Sequence, residues 1–189
     1  MRTTLYFIRH AKSDFKIKED AARPLTIAGH RAAQKLIADF SNTQLHAIYS
    51  SPYKRTIDTV KPLATSKKLP IIERELLRER SIGKWVEDFN SYARKQWDDF
   101  DFKIDGGESL RAVQNRNINQ LTEILENHDG ENIAIGTHGT SLSTILNYFD
   151  ESFDYNSFLS IADKMPLIVV VEFQRGTFHS YRINESGHV

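Results

Sequence analysis

Hydrophobic positions fall in two kinds of pattern along this chain: short unbroken apolar runs, and longer segments in which apolar residues recur at helical spacing. The first run, Thr4-Leu5-Tyr6-Phe7-Ile8, stops at Arg9-His10, as a buried strand does where it leaves a sheet. The polar stretch 11–24 reads as an irregular loop. Thr26 is an N-cap for a helix reaching about Asp39, with Ala33, Leu36, Ile37 and Phe40 on its buried face. A second strand, about His46 to Tyr49, ends in Ser50-Ser51-Pro52, and proline fits the first turn of the helix that follows and carries Arg55.

Further on, Ile71-Ile72 reads as a short strand leading into Leu76-Leu77-Arg78-Glu79-Arg80, and the aromatic, charged stretch 85–102 as partly helical. Gly106-Gly107 is a turn before a helix at about 108–127 with the stripe Leu110, Val113, Leu121, Ile124 and Leu125. Asn132-Ile133-Ala134-Ile135-Gly136 repeats the opening arrangement, running into Thr137-His138-Gly139-Thr140-Ser141, and a helix to about Tyr148 follows. Leu167–Phe173 and Thr177–Ile183, around Arg175-Gly176, form a hairpin-like pair. Strands separated by helices imply an α/β fold, a three-layer sandwich with a mainly parallel central sheet covered by helices on both faces and an antiparallel pair at its edge. The length of 189 residues, without repeats, linkers or low-complexity tracts, fits one domain over 1–189; a chain of that size buries roughly 70% of its unfolded surface.

Charge and composition narrow the partners. Lys plus Arg equals Asp plus Glu at 25 each, so no global field draws the chain to nucleic acid or to an anionic membrane. A small substrate is expected instead. Without cysteine there is no disulfide framework and no thiolate chemistry. The amino terminus enters a strand without an apolar signal segment, and no run approaches the ~18 apolar residues of a membrane span. A soluble, cytoplasmic protein is expected; oligomeric state is not legible.

Two histidines at two strand ends are the chemistry that stands out, because the carboxyl ends of strands in an open α/β sheet are where ligands bind. A neutral imidazole at His10 is a competent nucleophile toward phosphorus, and the guanidinium of Arg9 forks onto phosphate oxygens. Arg55 follows the second strand closely enough to project near the same edge. His138, between Gly136 and Gly139, sits in a strand-to-helix turn whose helix amides point at an anion. Taken singly, each reads first as a satisfied core histidine or a surface cation; together they point to phosphoryl chemistry. The adjacent arginines and the lack of a carboxylate or thiolate at ligand spacing argue against a metal, and no cofactor is expected. Glu79, between Arg78 and Arg80, is a candidate proton donor to a leaving oxygen, or a surface glutamate paired with its neighbours. Lys12, Ser13, Arg23 and Arg80 are candidate contacts for the substrate body or its phosphate. Trp85, Trp97, Phe89, Phe100 and Phe102 form either a lid or pocket wall, or ordinary packing of an inserted helix.

Arg9-His10-Ala11-Lys12-Ser13 resembles the Arg-His-Gly signature of the histidine phosphatase superfamily, the phosphoglycerate mutase-like family, with alanine in the glycine position as in its phosphohistidine phosphatase branch. Pro24-Leu25-Thr26-Ile27-Ala28-Gly29, Tyr49-Ser50-Ser51-Pro52-Tyr53-Lys54-Arg55-Thr56, Gly107-Glu108-Ser109 and Thr137-His138-Gly139 resemble further motifs of that family, in order over about 140 residues. The stretch Leu77–Trp85 is similar to its Leu-x-Glu-x-x-x-Gly-x-Trp element, although Trp85-Val86-Glu87 replaces the usual Trp-Glu-Gly and Asp14 replaces a small polar residue. The resemblance implies a phosphoglycerate mutase-like fold, His10 as the phosphorylated nucleophile, Arg9, Arg55 and His138 as the phosphate pocket, and Glu79 as the proton donor.

Three enzymatic readings follow: a phosphatase hydrolysing a small phosphomonoester through phosphohistidine, a phosphoglycerate mutase, and a phosphohistidine protein phosphatase. The chain is short for the insertions that enclose a mutase substrate. The Glu79 region and the Gly-Glu-Ser insert are atypical of compact phosphohistidine phosphatases. The small-substrate phosphatase is the expectation, with a non-enzymatic binding module as the reading from another class.

Overall fold

The computed structural model describes residues 1–184, so the last five positions of the expected 1–189 domain lie outside the described residues. One six-stranded sheet organises the chain: β1 (Arg2–Arg9), β2 (Ala47–Ser50), β3 (Ile71–Glu73), β4 (Asn132–Thr137), β5 (Leu167–Gln174) and β6 (Thr177–Asn184). They lie in the order β3-β2-β4-β1-β5-β6. The pairs β2–β3, β2–β4 and β1–β4 are parallel, while β5 runs antiparallel to β1 and β6 antiparallel to β5. The expected mainly parallel sheet with an antiparallel edge is the one found.

The alternation along β1 explains the three layers. Leu5 and Phe7 join the core on one face, with α4 (Leu110–Asn127), α5 (Gly139–Phe149), α3 (Phe89–Asp98) and α6 (Tyr155–Ser160). Tyr6 and Ile8 join the core on the other, with α1 (Ile27–Asp39) and α2 (Lys54–Lys67). Each fully buried side chain of this size contributes about 1.5–3 kcal/mol. β1 is apolar on both sides because both sides are covered.

Helix starts follow their caps. The hydroxyl of Thr26 accepts from Gly29 N at 3.0 Å, Ser109 caps α4, and Asp88 caps α3. One expectation fails in α1: Ile37 is exposed, flanking a groove that Gln34, Lys61 and Pro62 also line. The buried stripe runs through Gly29, Ala33 and Leu36 to Phe40, and Ile37 stands one step round the helix from it. The stretch 85–102 is helical only from Phe89 to Asp98, and α6 and a 3-10 turn at Glu75–Leu77 were not foreseen. Trp97 packs against the core, whereas Trp85 is 81% exposed. No helix among the described residues is long and apolar enough to cross a membrane.

Candidate active site

Three chain segments turn out of the sheet together because the backbone ladder continues beyond the strands. Arg9 pairs with Thr137, and His10 N then donates to Thr137 O at 3.0 Å, while Ser51 N donates to Gly136 O at 3.0 Å. The ladder therefore fixes His10, His138 and the start of α2 side by side. The imidazoles of His10 and His138 meet edge to face with centroids 5.4 Å apart, and Tyr53 closes on His138 at 5.1 Å.

The tautomer of His10 follows from its neighbour. Its Nδ1 lies 2.8 Å from the carbonyl oxygen of Ala11, and a carbonyl only accepts, so Nδ1 carries the proton and Nε2 the lone pair. The Ala11 amide is held in turn by the hydroxyl of Thr59 at 2.9 Å, which donates to Arg55 O. Burial above all, then the charges of Arg55, Arg9 and Arg23, pushes the His10 pKa down to about 3. Burial, then Arg55 and His10, likewise holds His138 well below its ordinary value. Both are neutral at pH 7. His138 Nε2 lies 2.8 Å from Ser51 Oγ, and its Nδ1 is buried without a partner.

The cations are held differently. Arg9 packs on Gly139, where any Cβ would lie 3.1 Å from its guanidinium, and its Nη atoms donate to Ile161 O at 2.6 Å and Ala162 O at 2.9 Å. Only its buried Nε lacks a partner. Arg55, 2% exposed, meets Asp20: Nη1 donates to the Asp20 carbonyl and lies 3.1 Å from Oδ1. Arg23 reaches the same Oδ1 at 3.1 Å, so the loop 11–24 folds a carboxylate over two arginines.

Glu79 occupies the position where the sequence places an anion, the amino terminus of α5. Its carboxylate accepts from Thr140 N at 3.1 Å, Ser141 N at 3.2 Å and Arg80 N at 2.7 Å, satisfying donors a helix start leaves open. A clamp holds the segment behind it. Arg116 donates to the carbonyls of Leu76, Arg78 and Glu79, and Glu108 joins Arg116 and Arg78 while accepting from Ser81 N at 2.9 Å. Burial opposes ionisation of Glu108, but the bonds from Arg78, Arg116 and Ser81 prevail and bring its pKa down to about 2. At Gly83, with φ +85°, the loop after Glu79 approaches the Gly106-Gly107 turn so closely that a Cβ would sit 2.5 Å from Gly107 N.

The structure brings Arg9, His10, Arg55 and His138 together, with Glu79 beside them and Arg23 joined through Asp20. Ser13 is buried with its hydroxyl unpartnered, and Lys12 is exposed, its carbonyl accepting from Thr26. Arg80 turns the other way: it donates to Gln96 and stacks on Tyr92 and Phe89, inside the wall built by α3. Among the described residues no group of three or more metal-ligating side chains gathers. Sequence reasoning assigned no role to Ser51, Tyr53, Thr59, Asp20, Arg116 or Glu108; only the Ser-Ser and Gly-Glu-Ser strings signalled two of them.

A model of the histidine phosphatase superfamily (branch 1) matches residues 5–186. Among curated relatives, phosphoserine phosphatase 1 of Hydrogenobacter thermophilus is 30% identical over 147 residues, 71% of this chain and 70% of the relative. The 2,3-bisphosphoglycerate-dependent phosphoglycerate mutase of Thermoplasma acidophilum is 24% identical over 182 residues, 89% of this chain and 87% of that one. The solved structure of Bacillus stearothermophilus YhfR superposes with a TM-score of 0.79 at 26% identity, covering 99% of this chain and 98% of its own.

Proposed function

The chain belongs to the histidine phosphatase superfamily, and from that premise we propose that it is a phosphatase of small phosphomonoesters that works through a phosphohistidine on His10. The observation that carries this reading is the state of His10: a neutral imidazole with Nδ1 bound to a carbonyl and the Nε2 lone pair free, among arginines. A relative named as a phosphoserine phosphatase supports the substrate class.

In the first step Nε2 of His10 attacks phosphorus, the N–P bond forms as the ester P–O bond breaks, and the leaving oxygen takes a proton from the carboxyl of Glu79. Arg55, His138 and the Nε of Arg9 hold the equatorial oxygens, whose charge grows in the transition state. In the second step water attacks phosphorus, gives its proton to the Glu79 carboxylate, and the N–P bond breaks to release phosphate and restore neutral His10. Lys12 and Arg23 line the approach for the substrate body, the buried Ser13 lies beneath the loop 11–24 rather than on its surface, and Arg80 acts through the wall that shapes the approach. The chain acts as one domain. A cytoplasmic location fits a sequence without cysteine, and balanced charge fits a partner that is neither nucleic acid nor membrane.

The test is hydrolysis of an aryl phosphate without a bisphosphate primer, with alkaline quenching to trap acid-labile phosphate on the protein. His10→Ala is expected to lose at least about 10³-fold in kcat, together with the trapped phosphate. Retained turnover in His10→Ala overturns the reading; strict dependence on a primer favours the mutase reading instead.

A further inference from the structure

The contact between Asp20 and Arg55 has no part in the chemistry above, and it stands in the way of it. Asp20 Oδ1 lies 3.1 Å from Arg55 Nη1 and 3.1 Å from Arg23 Nη1, and Oδ2 lies 3.4 Å from Arg55 Nη2. A carboxylate thus sits where two guanidinium groups converge beside His10, which is itself only 7% exposed. The Asp20 side chain is 43% exposed, so it can rotate into water without opening a core. Its segment is pinned at both ends by Asp14 N to Pro24 O at 2.8 Å and by Lys54 N to Ala21 O at 2.9 Å. In between, its outward contact is Lys18 over the exposed ring of Trp85.

We propose that Asp20 is an autoinhibitory contact: an internal anion that holds Arg55 and Arg23 and that an anionic ligand must displace before both arginines can bind it. The inference rests on the reading of Arg55 as a phosphate contact. A phosphomonoester dianion brings two charges and oxygens for both arginines, so it replaces the carboxylate with a gain. A phosphodiester, a sulfate ester or a carboxylate brings one charge and only exchanges one monoanion for another. Asp20 therefore raises the threshold for every anion by one and the same factor, the cost of releasing its own contacts.

The experiment measures competitive inhibition constants of inorganic phosphate and of the monoanion phenyl sulfate for wild type, Asp20→Asn and Asp20→Ala, each first checked for folding by its melting curve. Removing a half-exposed competitor is expected to tighten phosphate and phenyl sulfate alike by about fivefold, leaving the ratio between them unchanged. Unchanged or weaker phosphate inhibition in both variants overturns the proposal and makes Asp20 a support for Arg55. Arg55→Ala in parallel separates the two readings. If it weakens phosphate inhibition, the pocket stands and only the role of Asp20 is in question. If it leaves phosphate inhibition as in wild type, the assignment of the pocket falls first.

Discussion

His10 and His138 on the floor of the site have no ionic partner, while Arg55, Arg23, Arg78 and Glu108 at its rim are all engaged in ion pairs. The floor takes its geometry from backbone: the ladder between β1 and β4 runs on through His10 N to Thr137 O, and Nδ1 of His10 binds a main-chain carbonyl. At the rim, side chains from segments far apart in sequence meet by charge, as Asp20 with Arg55 and Glu108 with Arg78. Backbone cannot exchange partners without breaking the sheet, whereas an ion pair whose carboxylate is 43% exposed, as that of Asp20 is, exchanges with a charged ligand. A nucleophile needs the first property and a phosphate-binding rim the second.

The sharpest way to break this contrast is acid. A floor of dry, neutral histidines makes folded stability depend on keeping protons off them. An unfolded chain takes a proton on each histidine below about pH 6.5, whereas folded His10 takes one only near pH 3. The stabilisation is complete above pH 6.5 and is lost as pH falls through that window, by about 1.4 kcal/mol per unit for each such histidine. At pH 5 the loss from His10 alone is about 2 kcal/mol. Glu108, with a pKa brought down to about 2, adds a further loss only below its ordinary value of 4.5. Denaturant titrations of wild type and His10→Gln between pH 7 and 4.5 should show the variant with a slope shallower by about one proton. Equal slopes would mean that His10 is wetter than its burial indicates.

A smaller effect tests the rim. Arg116 touches neither histidine, yet it binds the carbonyls of Leu76, Arg78 and Glu79 and the carboxylate of Glu108. On the proposed reading of Glu79 as proton donor, Arg116 is a positioning residue for it. Arg116→Ala should lower kcat about tenfold on alkyl phosphates, a fraction of what a general acid supplies, and much less on an activated aryl phosphate, whose leaving group departs without a proton. In a Glu79→Gln background the Arg116 effect should vanish, as it does for residues acting through one group. Equal losses on both substrates would make Arg116 a support of the fold at large.

The same contrast explains what was legible in sequence. β1 and β4 were readable because continuous apolar runs end abruptly in Arg9-His10 and Thr137-His138, so the floor could be located from local pattern alone. The Thr26 cap was equally local. Asp20 with Arg55 and Glu108 with Arg116 were not, because an ion pair between a loop and a helix leaves no periodicity to read. Arg80 illustrates the cost of inferring direction from position: it follows Glu79, but Gln96, Tyr92 and Phe89 draw it into the wall. Ile37 fits the apolar spacing of α1 and is still exposed, because Leu36 and Phe40 pack on the sheet and Ala33 on Ala11 and Leu25, which leaves the flank of the stripe in water.

The smallest effect is expected where the rim is most open. Trp85 is 81% exposed, and Lys18 Nζ lies 5.9 Å from its ring centroid. So exposed a side chain removes little apolar surface from water, and Trp85→Ala should change unfolding free energy by no more than about 0.5 kcal/mol. On the proposed reading inorganic phosphate is held by Arg9, Arg55 and His138 and not by Trp85, so its inhibition constant should stay at the wild-type value. A bulky aryl phosphate reaches further, and contact with an aromatic face contributes about 0.5–1 kcal/mol, so its KM should rise about two- to fivefold with kcat unchanged. A stability loss above about 2 kcal/mol would instead mark 82–88 as a packed wall. A changed phosphate constant would mean that the tryptophan acts on the floor itself, through the loop that carries Lys18 and Asp20.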